Sequence, residues 1–131
     1  MEEIKLDPVA TDFYKVSDFV ARILESLDCP IKIQTKIDIV IDEIFGNIVK
    51  YSGAKSISVR AETESNGVFS LSFIDNSKPY NPLDLPEPDT DADLDDRPIG
   101  GLGIFIVKKS VDDVFYEYKD GHNNLTIKKK L

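Results

Sequence analysis

A two-layer α+β sandwich, in which a mixed, mostly antiparallel sheet carries helices on one face, is predicted from three observations. Two strand-length stretches alternate apolar and polar residues, which leaves one face of their sheet wet. Two stretches before them and one after repeat apolar residues at helical spacing. The order is therefore helix, helix, strand, strand, a long loop, then helix, strand, strand, and it fits helices layered on one side of an antiparallel sheet. No repeat or linker divides the chain, so residues 1–131 read as one domain.

The elements follow in order. Residues 17–27 place Val20, Ile23, Leu24 and Leu27 on one helical face, with Ser17 as N-cap. Asp28 is a candidate cap for a second helix, and Pro30 suits its first turn. Ile33, Ile37, Val40, Ile41, Ile44 and Ile48 then run at helical spacing to about Tyr51, and Gly53 ends the run. Many of these residues are β-branched, so burial rather than propensity must hold this helix. In residues 56–64, Ile57, Val59 and Ala61 alternate with Ser58, Arg60 and Glu62. In residues 67–75, Phe69, Leu71 and Phe73 alternate with Ser70 and Ser72, and Asn66-Gly67 marks a hairpin between the two strands. A third helix is expected over residues 103–113, and a second hairpin turning near Asp120-Gly121 closes the chain. A short edge strand is expected near Ile4 or Phe13.

Composition narrows the classes of function. The chain has 131 residues, 41% apolar and 31% charged, which is ordinary globular usage. Its longest uninterrupted apolar run is the four residues Ile104 to Val107, whereas a membrane span needs about 20. Glu2, Glu3, Lys5 and Asp7 after Met1 do not read as a secretory signal. Cys29 has no second cysteine to pair with, which fits a reducing, cytoplasmic setting. A net charge of −8 argues against a nucleic-acid backbone or an anionic membrane as partner.

That charge is concentrated. Asp84, Glu87, Asp89, Asp91, Asp93, Asp95 and Asp96 are seven acids in one stretch without a base, and setting them aside leaves the remainder at −1. Pro82, Pro86, Pro88 and Pro98 fall in the same region, so it reads as a long functional loop. Its alternating aspartates superficially suit calcium. Leu94 and Gly100, however, stand where a calcium-binding loop of this spacing needs glycine and glutamate.

Three places carry possible chemistry. Glu43 and Asn47 lie one helical turn apart, beside the stripe through Ile41, Ile44 and Ile48. A carboxylate and an amide so placed suit a general base and an oxygen ligand for a hard cation. The same spacing is common in plain surface pairs. Asp75 ends its strand with the parity of Phe69, Leu71 and Phe73. It either accepts a hydrogen bond from a ligand's amino group or caps the turn at Asn76-Ser77. Gly100-Gly101-Leu102-Gly103 runs straight into a helix, where backbone N–H groups and the helix terminus favour an anion. The pattern is neither a dinucleotide fingerprint nor a P-loop. His122 and Cys29 are isolated and read as a turn residue and a buried thiol.

Taken together these segments resemble a known family. Residues 39–51 (IVIDEIFGNIVKY) are similar to the N box of the gyrase, histidine-kinase and MutL ATPase superfamily, the Bergerat fold. FIDNSKPYNPL resembles its first glycine box, RPIGGLGIFIVKKSVDDVFYE its second, and DGHNNLTIKKKL its closing hairpin. The branch most resembled is that of the small bacterial anti-sigma-factor serine kinases and their stand-alone relatives. The resemblance implies ATP and Mg²⁺ as cofactors and a histidine-kinase-like ATPase fold. It makes Glu43 the base, Asn47 the Mg²⁺ ligand, and Lys50 a phosphate contact one turn later. It makes Asp75 the acceptor of the adenine amino group, and Gly101, Leu102 and Gly103 the phosphate-binding backbone. Residues 84–99 become an ATP lid in which Arg97 is the one cation, and Asn123 stands near a nucleotide-contacting position.

Two departures are visible in the first glycine box: Ser77 stands for the usual glycine and Asn81 for the usual aspartate. A left-handed Ser77 would be strained by about 1 kcal/mol. Histidine kinases carry Asn where Glu43 stands, so the resemblance implies the branch that phosphorylates serine or hydrolyses ATP, with a serine kinase as the expected activity. Its expected partners are an anti-sigma-antagonist (STAS-type) protein, a sigma factor and a second copy of the chain. The alternatives are an ATP-dependent switch module with little phosphotransfer, or a degenerate relative that no longer binds nucleotide.

Overall fold

The computed structural model describes residues 1–84 and 101–131. The acidic segment from residue 85 onward, Arg97 and Gly100 lie outside the described residues, as does nearly all of the expected lid.

Five strands form one sheet in the order β1-β2-β3-β5-β4. They are β1 (Glu2–Leu6), β2 (Ile57–Thr63), β3 (Val68–Asp75), β4 (Asp113–Lys119) and β5 (His122–Lys130), and every pairing is antiparallel. Three helices accompany them: α1 (Phe13–Ser26), α2 (Ile31–Asn47) and α3 (Gly101–Ser110). This is the predicted α+β architecture. The alternation in β2 and β3 turns Ile57, Val59, Ala61, Phe69, Leu71 and Phe73 into the core, each no more than 3% exposed. Val16, Val20 and Leu24 of α1 and Ile37, Val40, Ile41, Ile44 and Phe45 of α2 meet them there. Burial thus offsets the poor propensity of the β-branched α2. The wet face keeps Ser72 and Thr126 as a hydroxyl pair across β3 and β5 at 2.8 Å.

The edge strand expected near Ile4 or Phe13 is β1; Phe13 opens α1 instead. Ser17 is not an N-cap. It sits inside α1, and its hydroxyl donates to Asp38 of α2 at 2.6 Å. Asp28 does not cap α2 either: its φ of 54° makes it the left-handed residue that turns the chain after α1. Pro30 stands one position ahead of α2 in extended geometry, its carbonyl accepting from Ile33 and Gln34. Both hairpin signals coincide with turns, Gly67 at φ 84° and Asp120-Gly121 at φ 53° and 77°. The paired positive values at Asp120-Gly121 are those of a type I′ turn, whose twist matches the flanking strands.

Beyond Asn47 the chain continues as a π-helical turn, Ile48–Ser52, and stops at Gly53 with a left-handed φ of 69°. The predicted run to Tyr51 and the glycine stop are therefore present, but the last turn is wider than an α-helical one.

Candidate active site

The site is assembled where α2, the end of β3, the start of β5 and the start of α3 meet. A cavity of about 520 Å³ lies there, lined by Asn47, Tyr51, Asp75, Tyr80, Ile104 and Asn123 among others. Its walls are mainly apolar, with polar groups at a few fixed points, as small-molecule pockets are.

Glu43 and Asn47 are half-buried on one face of α2. They converge on the first turn of α3: a Cβ added at Gly103 would lie 2.5 Å from Glu43 Oε2 and 3.6 Å from Asn47 Nδ2. Glycine is thus the residue that lets α3 approach the carboxylate and the amide. The helix begins at Gly101, so the glycines lie within its first turn rather than in a loop before it. The N–H groups of that turn lack partners within the helix, which is the ordinary basis of anion binding. Gly101 and Leu102 are the first two residues of this turn.

Asp75 is 6% exposed and faces the core side, as parity predicted. It also caps the turn that follows: Oδ1 accepts from the Ser77 N–H at 2.9 Å and from the Ser77 hydroxyl. The turn-cap reading is the one seen; the cap uses Oδ1, and no described residue donates to Oδ2. Ser77 is not left-handed; Asp28 and Asp120 are the described non-glycine residues with positive φ. The expected strain is absent, since this turn takes another path and gives the hydroxyl a partner. Asn81 caps the short helical turn Pro82–Asp84 by accepting from Leu83 N–H at 2.9 Å. Asn76 ties the end of β3 to β2, its Oδ1 accepting from Lys55 and Ser56.

Asn123, at the start of β5, is 5% exposed and lines the cavity beside Asp75. Lys50, on the π-helical turn, is exposed and does not line it; Tyr51 and Ser52 do. The wider turn accounts for this, because it rotates the residues after Asn47 away from their α-helical directions. Tyr51, Tyr80 and Tyr116 are cavity residues that sequence reasoning did not single out. For Tyr116 the strand parity with Val114 was a usable signal, and for Tyr51 the i,i+4 spacing from Asn47; for Tyr80 there was none.

Among the described residues no three His, Cys, Asp or Glu side chains cluster as a metal site. A magnesium ion bound by one protein oxygen together with substrate phosphates needs no such cluster. Asn47, held beside Glu43 and the α3 terminus, fits that mode. Burial raises the Cys29 thiol above its ordinary value, so it is an inert core group as expected. Among the described residues no helix is long and apolar enough to cross a membrane.

Comparison with known proteins agrees with this fold. Twenty-one solved chains match this one. The RsbU and RsbW domains of a Mycobacterium tuberculosis protein align with a TM-score of 0.69 and 15% identity, covering 100% of this chain and 33% of that one. The Acinetobacter baumannii histidine kinase AdeS aligns with a TM-score of 0.57 and 16% identity, over 99% of this chain and 68% of that one. The histidine kinase domain of a blue-light-activated kinase from Erythrobacter litoralis gives 0.53 and 12%, over 79% and 46%. This chain thus spans a third to two thirds of the structures it resembles. No curated protein matches at a significant level. At these identities the structures establish the fold, while the family model for the histidine kinase-like ATPase domain matches residues 8–129. The chain belongs to the histidine kinase-like ATPase domain family.

Proposed function

We propose that this domain is an ATP- and magnesium-dependent serine-protein kinase of the anti-sigma-factor type, acting on a STAS-type antagonist protein and regulating a sigma factor. The observation that carries the reading is the convergence of Glu43 and Asn47 on Gly103, with Asn47 and Asp75 both lining the cavity although Glu43 and Gly103 do not. In this reading Asp75 Oδ2 accepts the adenine amino group, and the first turn of α3 receives the phosphates through its free N–H groups. Asn47 holds Mg²⁺, which when bound neutralises charge on the transferred phosphoryl group. Glu43 accepts the proton of the attacking serine hydroxyl as its oxygen bonds to the γ-phosphorus and the bond from that phosphorus to the leaving ADP breaks. A glutamate at this position, where histidine kinases carry Asn, favours a hydroxyl acceptor. Lys50, exposed on the π-helical turn, is given no phosphate contact in this reading.

Labelled ATP mixed with the protein and a lysate of the source cells tests the proposal. Glu43→Ala is expected to hold ATP affinity within a few fold and to cut phosphotransfer by roughly 10², the scale of a general base. Asn47→Ala should lose both. Phosphotransfer unchanged in Glu43→Ala removes the catalytic assignment. ATP binding with no labelled protein in the wild type favours the alternative, a switch module that controls partner affinity.

A further inference from the structure

The helical layer carries a second hollow, between α1 and α2, which shares no lining residue with the cavity beside α3. Its volume is about 240 Å³, and Ser17, Ala21, Thr35 and Asp38 border it above core side chains such as Leu24 and Ile41. Ser17 and Ala21 lie one turn apart on α1, and their small side chains leave the space open. The polar groups at its rim have already given up their protons. The Ser17 hydroxyl donates to Asp38 Oδ1 at 2.6 Å, and the Thr35 hydroxyl donates to the Ile31 carbonyl at 2.9 Å. A hydroxyl has one proton to give and an ionised carboxylate none. These three side chains therefore offer a ligand nothing but lone pairs. Asp38 is exposed, and none of the ion pairs among the described residues uses it. Asp42, one turn beyond Asp38, and Asp18, beside Ser17, are exposed as well. Arg22, nearby on α1, turns its Nε to the Asp18 carbonyl at 3.5 Å.

A rim of acceptors under negative charge suits a cation that carries several donors. A guanidinium fits this better than an ammonium, because its planar fork presents five N–H groups and it is more weakly hydrated. Two exposed apolar side chains bracket the hollow. Tyr14, 69% exposed, precedes Ser17 by one turn, and Ile31, 76% exposed, precedes Thr35 by one turn. The helices run back along each other across a short connection, with Ser17 against Asp38, so Tyr14 and Ile31 stand at opposite ends. From Tyr14 to Leu24 is about 15 Å along the axis, roughly three turns of a docked helix. We infer that the α1–α2 groove docks a basic amphipathic helix of a partner protein. An arginine of that helix lies over Asp38, and apolar residues one turn to either side pack on Tyr14 and Ile31. The acids at 18, 38 and 42 supply the charge match that selects a cationic partner. This surface is separate from the proposed nucleotide site and does not depend on it.

A titration of the ¹⁵N-labelled protein, without nucleotide, tests the inference by amide chemical shifts. The probe is a blocked, alanine-based helical peptide with one arginine and a leucine four residues to each side. Its control replaces arginine by citrulline, which keeps the shape and loses the charge. The arginine peptide is expected to shift the amides of Ser17, Ala21, Thr35 and Asp38 saturably at millimolar concentration. The citrulline peptide, and Asp38→Asn with the arginine peptide, should each bind about fivefold more weakly, the upper worth of an exposed ion pair. Asp38→Asn keeps an oxygen for the Ser17 hydroxyl, so the fold is retained. Ala21→Leu fills the hollow and should abolish the shifts, with a thermal melt to verify folding. Equal affinity of the two peptides, or shifts confined to the acidic residues 85–96, overturns the inference. So do shifts of the groove amides on dilution of the protein alone, which assign the surface to a second copy of the chain.

Discussion

Gly103 illustrates how one missing methyl group can set a site. A Cβ there would press on Glu43 Oε2 at 2.5 Å, and the atom it meets is the far end of a flexible side chain. Gly103→Ala is therefore expected to cost little stability, and the better helix propensity of alanine offsets it by up to about 1 kcal/mol. The carboxylate, however, must move. Displacing a reacting group by about 1 Å costs on the order of 10² in rate, so phosphotransfer should drop at least tenfold while the melting temperature holds or rises. Calorimetric melting beside a kinase assay checks both halves, and full activity in the variant means that Glu43 does not need its present position. The Glu43–Asn47 pair was legible because helical spacing is a local rule. The glycine opposite them was legible only as a phosphate contact, since its closeness to Glu43 depends on how two distant helices pack.

At the scale of elements, β4 and β5 were readable as a hairpin from the Asp-Gly turn, whereas the π-helical turn after Asn47 was not. A period of 3.6 places Lys50 and Tyr51 on either side of the Asn47 face; in the wider turn Tyr51 and Ser52 line the cavity and Lys50 does not. Helix starts were missed for a similar reason. Ser17 has the chemistry of a cap, yet its hydroxyl is engaged by Asp38 from another helix. The hairpin itself is pinned by Asp112, just before β4. The N–H of Lys130 donates to its Oδ2 at 2.6 Å, and the charge of Lys129 lies 3.5 Å from Oδ1. The Lys130 hydrogen bond first, and Lys129 after it, hold the Asp112 carboxyl below its ordinary value of 3.8 despite partial desolvation. A depressed carboxyl contributes stability above its unfolded pKa and loses it as pH falls through the folded one. Urea unfolding of wild type and Asp112→Asn between about pH 6 and 2 should show a gap that is constant above about pH 5 and narrows below the ordinary carboxylate range. A gap independent of pH excludes the charged form of Asp112 as the cause.

For the molecule as a whole, binding and folding are coupled through the cavity. The sequence showed the layers because alternation and helical period are set by burial, and the core obeys both, from Val59 and Phe73 to Ile41 and Ile44. It did not show that Ser77, Asn123, Tyr80 and Tyr116 form one network, because these residues lie on three separate stretches that only the closed sheet brings together. A ligand that occupies the cavity must stabilise this assembled state and no other. At a concentration about 100 times its dissociation constant, Mg-ATP should add about 2.7 kcal/mol. In a domain of this size that corresponds to a rise in melting temperature of roughly 10 °C. Asp75→Asn should lose most of the rise, because an amide can present a donor where the adenine amino group needs an acceptor. Glu43→Ala should keep it, since the proposed base acts on the hydroxyl rather than on ATP. Scanning calorimetry of the three proteins with and without millimolar Mg-ATP separates these roles: no shift in the wild type rejects the nucleotide site, and equal shifts in all three move the base contact away from Asp75.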